Sequence, residues 1–155
     1  MKVVSSVVFI ASSLVICNCR LTEEGSKLLR EELGLWVKCA AQWNISESVL
    51  DGVLKKQQLP PTPQFKCFLS CHLKGMKIMD EDGAVSWDRV DEIDNVEIPE
   101  REDKQKALAA TKICRETVPQ KIGGDICETA YVATKCFMEE TKKLNLRLLG
   151  PEDLA

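Results

Sequence analysis

The sequence predicts an all-α domain of about six helices held together by disulfide bonds. Three observations carry that prediction. Apolar residues recur at three- and four-residue steps along most of the chain, the spacing of one helical face. No run of alternating apolar and β-branched residues is long enough for a strand. Eight cysteines in 155 residues, behind an apolar N-terminal segment, suit an exported chain in an oxidising compartment.

The N-terminal segment is expected to be a leader. Met1-Lys2 is a short positive start, and the apolar run from Val3 to Ile16 is 14 residues interrupted by four serines. A bilayer span needs about 20 apolar residues, so the run is too short to cross a membrane and suits the central region of a secretory signal peptide. Cys17 and Cys19 put small side chains at positions −3 and −1 of a cut after Cys19. The expected organisation is therefore a signal peptide over 1–19 and one domain over 20–155, secreted and without a stable membrane anchor. Cutting 19 residues from 155 leaves 136, with six cysteines and a net charge of −4.

The helices follow in order from caps and periodicity. Thr22 is an N-cap with Glu23 and Glu24 in the first turn, where the helix dipole favours acids. Leu29, Leu33, Trp36 and Ala40 then share one face, and Gly34 weakens that helix without ending it. Ser46 caps a short second helix through Leu54. Thr62-Pro63 reads as an N-cap and a first-turn proline, opening a third helix that runs to about Met76. Asp80 to Gly83 is a turn. Ser86 caps a fourth helix carrying Trp87, Val90 and Ile93. Pro99 starts a fifth, charged at first and apolar through Thr111, before Pro119 and Gly123-Gly124. Asp125 caps a sixth, and a leucine-rich tail over 144–155 follows.

Composition and motifs exclude several functions. A net charge of −3 and a pI near 5.3 oppose nucleic-acid binding, which needs a basic surface to displace counterions. With His72 as its one histidine, the chain would have to build a zinc site mostly from thiolates. Asp80-x-Asp82-Gly83 resembles part of a calcium loop, but Ile78 and Arg89 occupy its first and twelfth ligand positions. No phosphate loop, nucleophile–base pair or cofactor motif is present. Asn44-Ile45-Ser46 is a glycosylation sequon whose serine is equally a helix cap. His72 has the pKa class of an acid-pH switch, with a passive packing role as the alternative; the tail acids Glu152 and Asp153 could take part in such a release.

The specific signal is the cysteine framework. Cys39, Cys67, Cys71, Cys114, Cys127 and Cys136 are spaced C-x27-C-x3-C-x42-C-x12-C-x8-C. Six cysteines allow 15 pairings, which spacing alone leaves open. Cys67 and Cys71 lie one turn apart on one helix, so bridging them to different helices would staple three elements, whereas bridging them to each other would constrain only that helix.

This framework, the leader and the acidic helical chain together resemble the insect odorant-binding proteins of the pheromone and general-odorant type. The resemblance spans essentially the whole mature chain. It implies the pairs Cys39–Cys71, Cys67–Cys127 and Cys114–Cys136, and six helices around an apolar cavity that carries small hydrophobic molecules through aqueous fluid, as a monomer or weak homodimer able to deliver its ligand to a chemoreceptor.

A cavity of that kind needs apolar walls with some small side chains. The first helix offers Leu33 and Trp36; the third offers Phe68, Leu73 and Met76, with Met79 beyond it. Methionine adapts its shape to varied ligands. Trp87 and Val90 come from the fourth helix, and Ala107, Leu108, Ala110 and Thr111 from the fifth. Ala130, Tyr131, Ala133, Thr134 and Phe137 come from the sixth, with Leu146 in a tail expected to fold over the cavity mouth or to lie free. Each of these residues serves equally well as plain core. Two other classes stand beside the carrier. One is a secreted helical hydrolase of the phospholipase A2 type, although Leu73 rather than aspartate follows His72 and no glycine-rich calcium loop precedes it. The other is an interaction protein with a filled core.

Overall fold

The computed structural model describes residues 21–154, so the expected leader over 1–19 lies outside the described residues. Six α-helices follow one another: α1 (Glu23–Trp43), α2 (Glu47–Lys56), α3 (Pro63–Gly75), α4 (Trp87–Glu97), α5 (Arg101–Thr117) and α6 (Ile126–Lys143), with a 3-10 turn at Pro151–Leu154. Among the described residues the β component is an isolated bridge between Met79 and Val85, across the turn at Asp80 to Gly83.

Four of the expected caps close as hydrogen bonds. Thr22 accepts from the Gly25 N–H at 3.0 Å, Thr62 from Phe65 at 3.3 Å, Ser86 from Arg89 at 3.3 Å and Asp125 from Glu128 at 2.9 Å. Each satisfies a backbone donor that the first helical turn leaves without a partner. Ser46 stands at the start of α2, but its hydroxyl pairs with that of Ser48 at 3.0 Å and makes no cap bond. Helix α5 begins at Arg101, two residues beyond Pro99, and extends to Thr117, well past the apolar stretch that ends at Thr111. Helix α1 passes through Gly34 unbroken and stops where Asn44 takes the left-handed conformation at φ 53°.

Helix α3 packs against α1 and α6, α4 against α1 and α5, and α5 against α6. Phe65, Phe68 and Leu69 of α3 are fully buried with Val53 of α2. At the start of α1, a Cβ on residue 25 would lie 2.8 Å from the Val96 carbonyl oxygen, so only glycine lets α1 approach the end of α4 this closely. That approach brings the acidic face of α4 beside α1.

Three disulfides join the elements: Cys39–Cys71 (α1 to α3), Cys67–Cys127 (α3 to α6) and Cys114–Cys136 (α5 to α6), with Cα separations of 5.8, 4.5 and 5.9 Å. These are the pairs the family resemblance implies, and Cys67 and Cys71 do leave one helix for two others. The bonds connect α1, α3, α6 and α5 in one covalent series. They span 32, 60 and 22 residues of sequence. Since a cross-link restricts the unfolded chain more as the loop lengthens, replacing Cys67 and Cys127 together by serine should cost about 1 kcal/mol more than replacing Cys114 and Cys136. Equilibrium denaturant unfolding of the two double variants measures that difference.

Candidate functional site

The helical frame leaves a cavity of about 310 Å³ in its interior. Its wall is assembled from one stripe of each contributing helix: Leu29, Glu32, Leu33 and Trp36 of α1, Trp87, Val90, Asp94 and Glu97 of α4, and Ala133, Thr134, Phe137 and Met138 of α6. The steps of three and four residues are those of a single helical face. Val53 and Leu54 of α2, Leu69, His72 and Leu73 of α3, and Ile78 and Val85 complete the sides. Residues 146–149 and Asp153 of the tail lie across the remaining edge.

Nine of the residues put forward from the sequence line this cavity: Leu33, Trp36, Leu73, Trp87, Val90, Ala133, Thr134, Phe137 and Leu146. The other nine do not, for identifiable reasons. Phe68 is fully buried behind the wall, its ring edge-on to Trp36 at 5.3 Å and tilted against Phe65 at 5.3 Å. Met76 is buried at the end of α3, where its carbonyl accepts from Arg89 Nε at 3.2 Å. Met79 is held in the bridge with Val85 and borders a separate polar depression with Lys74 and Lys77. Ala107 and Ala110 are fully buried, and Leu108 is half-buried, on α5, a helix that packs on α4 and α6 and touches the cavity only through Asp103. Small side chains there bring helices together and leave no room for a ligand. Thr111 on the same face donates to Asp94 Oδ2 at 3.4 Å and so supports the wall from behind. Ala130 is buried in the core cluster, and Tyr131 turns away, its hydroxyl donating to the Leu59 carbonyl at 3.4 Å with Lys66 over its ring.

Charged residues in the wall are what the sequence reading missed. Glu32, Asp94 and Glu97 face the cavity, and His72 joins them as a wall residue. A trace of this was readable: Glu32 falls on the Leu29–Leu33–Trp36 face, and Asp94 and Glu97 continue the face of Trp87, Val90 and Ile93. Glu97 is 7% exposed and His72 5%. Glu32 bonds to Glu97 and accepts from Trp36, while His72 Nε2 lies 3.6 Å from Glu32 Oε1, beyond hydrogen-bond range. Buried polar atoms normally find partners. Here His72 Nε2, Glu97 Oε1, Trp87 Nε1 and Thr134 Oγ1 are buried without one, and all four residues line the cavity.

Burial sets the protonation of this group. It pushes the Glu97 carboxyl up to about 9, reinforced by the charge and hydrogen bond of Glu32. It also raises Glu32, opposed by the bonds to Glu97 and Trp36. Asp94 is pushed up to about 7, mainly by burial, with the Thr111 hydroxyl acting against it. His72 is held down to about 3 by burial, which favours its neutral form and the packing role over the switch. The tail acids have a partner: Arg147 clasps Asp153 through two bonds of 2.9 and 2.5 Å and reaches Glu152 at 3.3 Å. That clasp lowers the Asp153 pKa, and the Gly150 N–H acts in the same direction.

Among the described residues no group of three or more His, Cys, Asp or Glu is placed to hold a metal ion, and no helix is long and apolar enough to cross a membrane. A model of the PBP/GOBP family matches residues 26–140. General odorant-binding protein 19d of Drosophila melanogaster is 23% identical over 111 residues, 72% of each chain. The solved structure of odorant-binding protein OBP28a of Drosophila melanogaster aligns with a TM-score of 0.62 at 25% identity, covering 79% of this chain and 98% of that one. The fatty acid binding protein OBP56a from the oral disk of the blowfly Phormia regina aligns at 0.54 and 22% identity, over 80% and 97% of the two chains, a likeness of fold.

The raised carboxyl pKa values predict how stability depends on pH. Between pH 7 and 9 the unfolded chain has Glu97 and Asp94 ionised, while the folded protein holds the Glu97 proton until about pH 9. The folded state then binds more protons, so its stability falls as pH rises. His72 stays neutral in both states over most of this window and contributes little. The melting temperature of the unliganded protein should drop by about 5 °C or more from pH 7 to 9, and Glu97→Gln should remove most of that slope in circular dichroism melts.

Proposed function

The chain belongs to the PBP/GOBP family of odorant-binding proteins, and from that premise we propose that it is a secreted carrier, not an enzyme, binding small hydrophobic molecules in its interior cavity. The reading assigns 1–19 to a signal peptide and 20–155 to the carrier domain, acting as a monomer or weak homodimer and handing its ligand to a chemoreceptor. The observation that carries it is the cavity of about 310 Å³ with apolar residues from five helices around it, a volume within the roughly 300–1,000 Å³ of small-molecule sites. Trp36, Leu73, Trp87, Val90, Ala133, Phe137 and Leu146 are its proposed ligand contacts. Relatives whose names record ligand carriage, such as the blowfly fatty acid binding protein, support the same class.

The energetics suit reversible transport. Burying about 300 Å² of apolar ligand surface yields on the order of 7 kcal/mol gross, which caps the affinity near the micromolar range before association losses. In this reading the tail is a lid. Leu146, Leu148 and Leu149 contribute wall, the Leu146 carbonyl accepts from Gln57 Nε2 at 3.1 Å, and the Arg147–Asp153 clasp folds the last turn back on itself. The hydrolase alternative finds no support, since the matched family is a family of binding proteins.

Two measurements test the proposal. Displacement of the fluorescent probe N-phenyl-1-naphthylamine by eight- to twelve-carbon alcohols should give micromolar constants, and Ala133→Phe, which fills the cavity from α6, should weaken probe binding about tenfold while leaving the fold intact. Truncation before Leu144 should weaken it by about tenfold to a hundredfold through loss of the leucine wall; unchanged affinity would refute the lid. No phospholipid turnover is expected on micelles with or without calcium.

A further inference from the structure

We infer that the cavity takes an apolar amine, with its ammonium seated against Glu32 and Glu97 beside His72 and its hydrocarbon body along Trp36, Leu73 and Phe137. This rests on the carrier reading and names the ligand class of that same cavity. The first ground is geometry. Glu32 of α1 and Glu97 of α4 line the same cavity, and Asp94, also in the wall, stands one turn before Glu97. The second is independent of the carboxyl groups. His72 of α3 is buried, its Nε2 has no partner, and it lies 3.6 Å from Glu32 Oε1. Glu97 Oε1 is also without one. The three side chains come from three helices, and two of them, His72 and Glu97, hold buried polar atoms without a partner beside the cavity.

Charge decides what pairs with them. Glu32, Asp94 and Glu97 set three carboxyl groups in one wall, and any charge they carry there is costly unless it is paired. Among the described residues of the wall the permanent cation is Arg147, and it is already engaged by Asp153 and Glu152. Burial keeps His72 neutral. Asp103, at the α5 edge, has its own partner in Lys106 at 3.2 Å. The acid pair thus lacks a counterion from the protein, and a primary amine, protonated at neutral pH like a lysine side chain, supplies it. An ammonium offers three donors, enough for both carboxyl groups and one further acceptor. A fatty carboxylate would instead add a second negative charge at the same place. The cavity should therefore discriminate against the ligand class named for the blowfly protein of the same fold.

Isothermal titration calorimetry at pH 7.4 with octylamine, 1-octanol and octanoate tests this, since the three share an eight-carbon chain and differ only in the head group. Octylamine should bind about tenfold or more tighter than octanoate, with octanol between them. In the variant carrying Glu32→Gln and Glu97→Gln together, octylamine should weaken about tenfold while octanol keeps its affinity. Octanoate binding as tightly as octylamine, or octylamine affinity unchanged in the double variant, overturns the inference. Octanol binding with no preference for the amine overturns the inference alone; no binding of any of the three overturns the carrier reading with it. The ranking on the unaltered protein stands whether or not the double variant folds, and Glu97→Gln alone provides a milder substitution with the same expected direction.

Discussion

The three disulfides are the constraint on which the rest depends, because they hold helices apart that a filled core would otherwise have to hold together. A cavity of about 310 Å³ forgoes packing that a filled core would supply. Three cross-links at about 2–4 kcal/mol each stabilise the frame without it. The bonds also lie where they are needed. They connect α1, α3, α6 and α5, and α1, α3 and α6 supply much of the wall. Helix α4 has no cysteine and is placed by packing on α1 and α5, by the close approach that Gly25 permits, and by the Thr111–Asp94 contact.

That division has a chemical consequence. Helix α4, which like α2 has no cross-link, carries the buried Asp94 and Glu97, and the half-buried Glu32 faces them from α1. Polar groups left unsatisfied in a wall cost free energy in the unliganded protein. A ligand that satisfies them recovers that cost on binding, so specificity and latent instability share one origin. The same burial lowers the His72 pKa, and the Arg147 clasp lowers that of Asp153. Apolar area then gives the cavity its capacity, and the carboxyl cluster gives it selectivity.

Element by element, local rules read well. Thr22, Thr62, Ser86 and Asp125 cap where their sequence context indicates, since a cap needs only a side chain and a donor three residues away. Ser46 shows the limit of that rule, because a second serine two residues on competes for its hydroxyl. The site was legible to a lesser degree. Leu33, Trp36, Ala133 and Phe137, on the inward stripes of α1 and α6, line the cavity, whereas Ala107, Leu108, Ala110 and Thr111, with the same helical spacing, sit on α5 behind it. Periodicity reports which face of a helix is buried. It does not report whether a neighbour or an empty space lies opposite.

What the sequence determined by itself was local or covalent in nature: six helices, their caps, and a cysteine spacing specific enough to imply family and pairing. What only the tertiary structure decided was which buried faces meet and which enclose space. Leu29, Glu32, Leu33 and Trp36 form one stripe by helical geometry alone, yet the Glu32–Glu97 bond and the nearness of His72 join residues on three separate helices. Their meeting follows from how α1, α3 and α4 cross, an outcome of packing summed over the whole chain, and no spacing within any one helix encodes it.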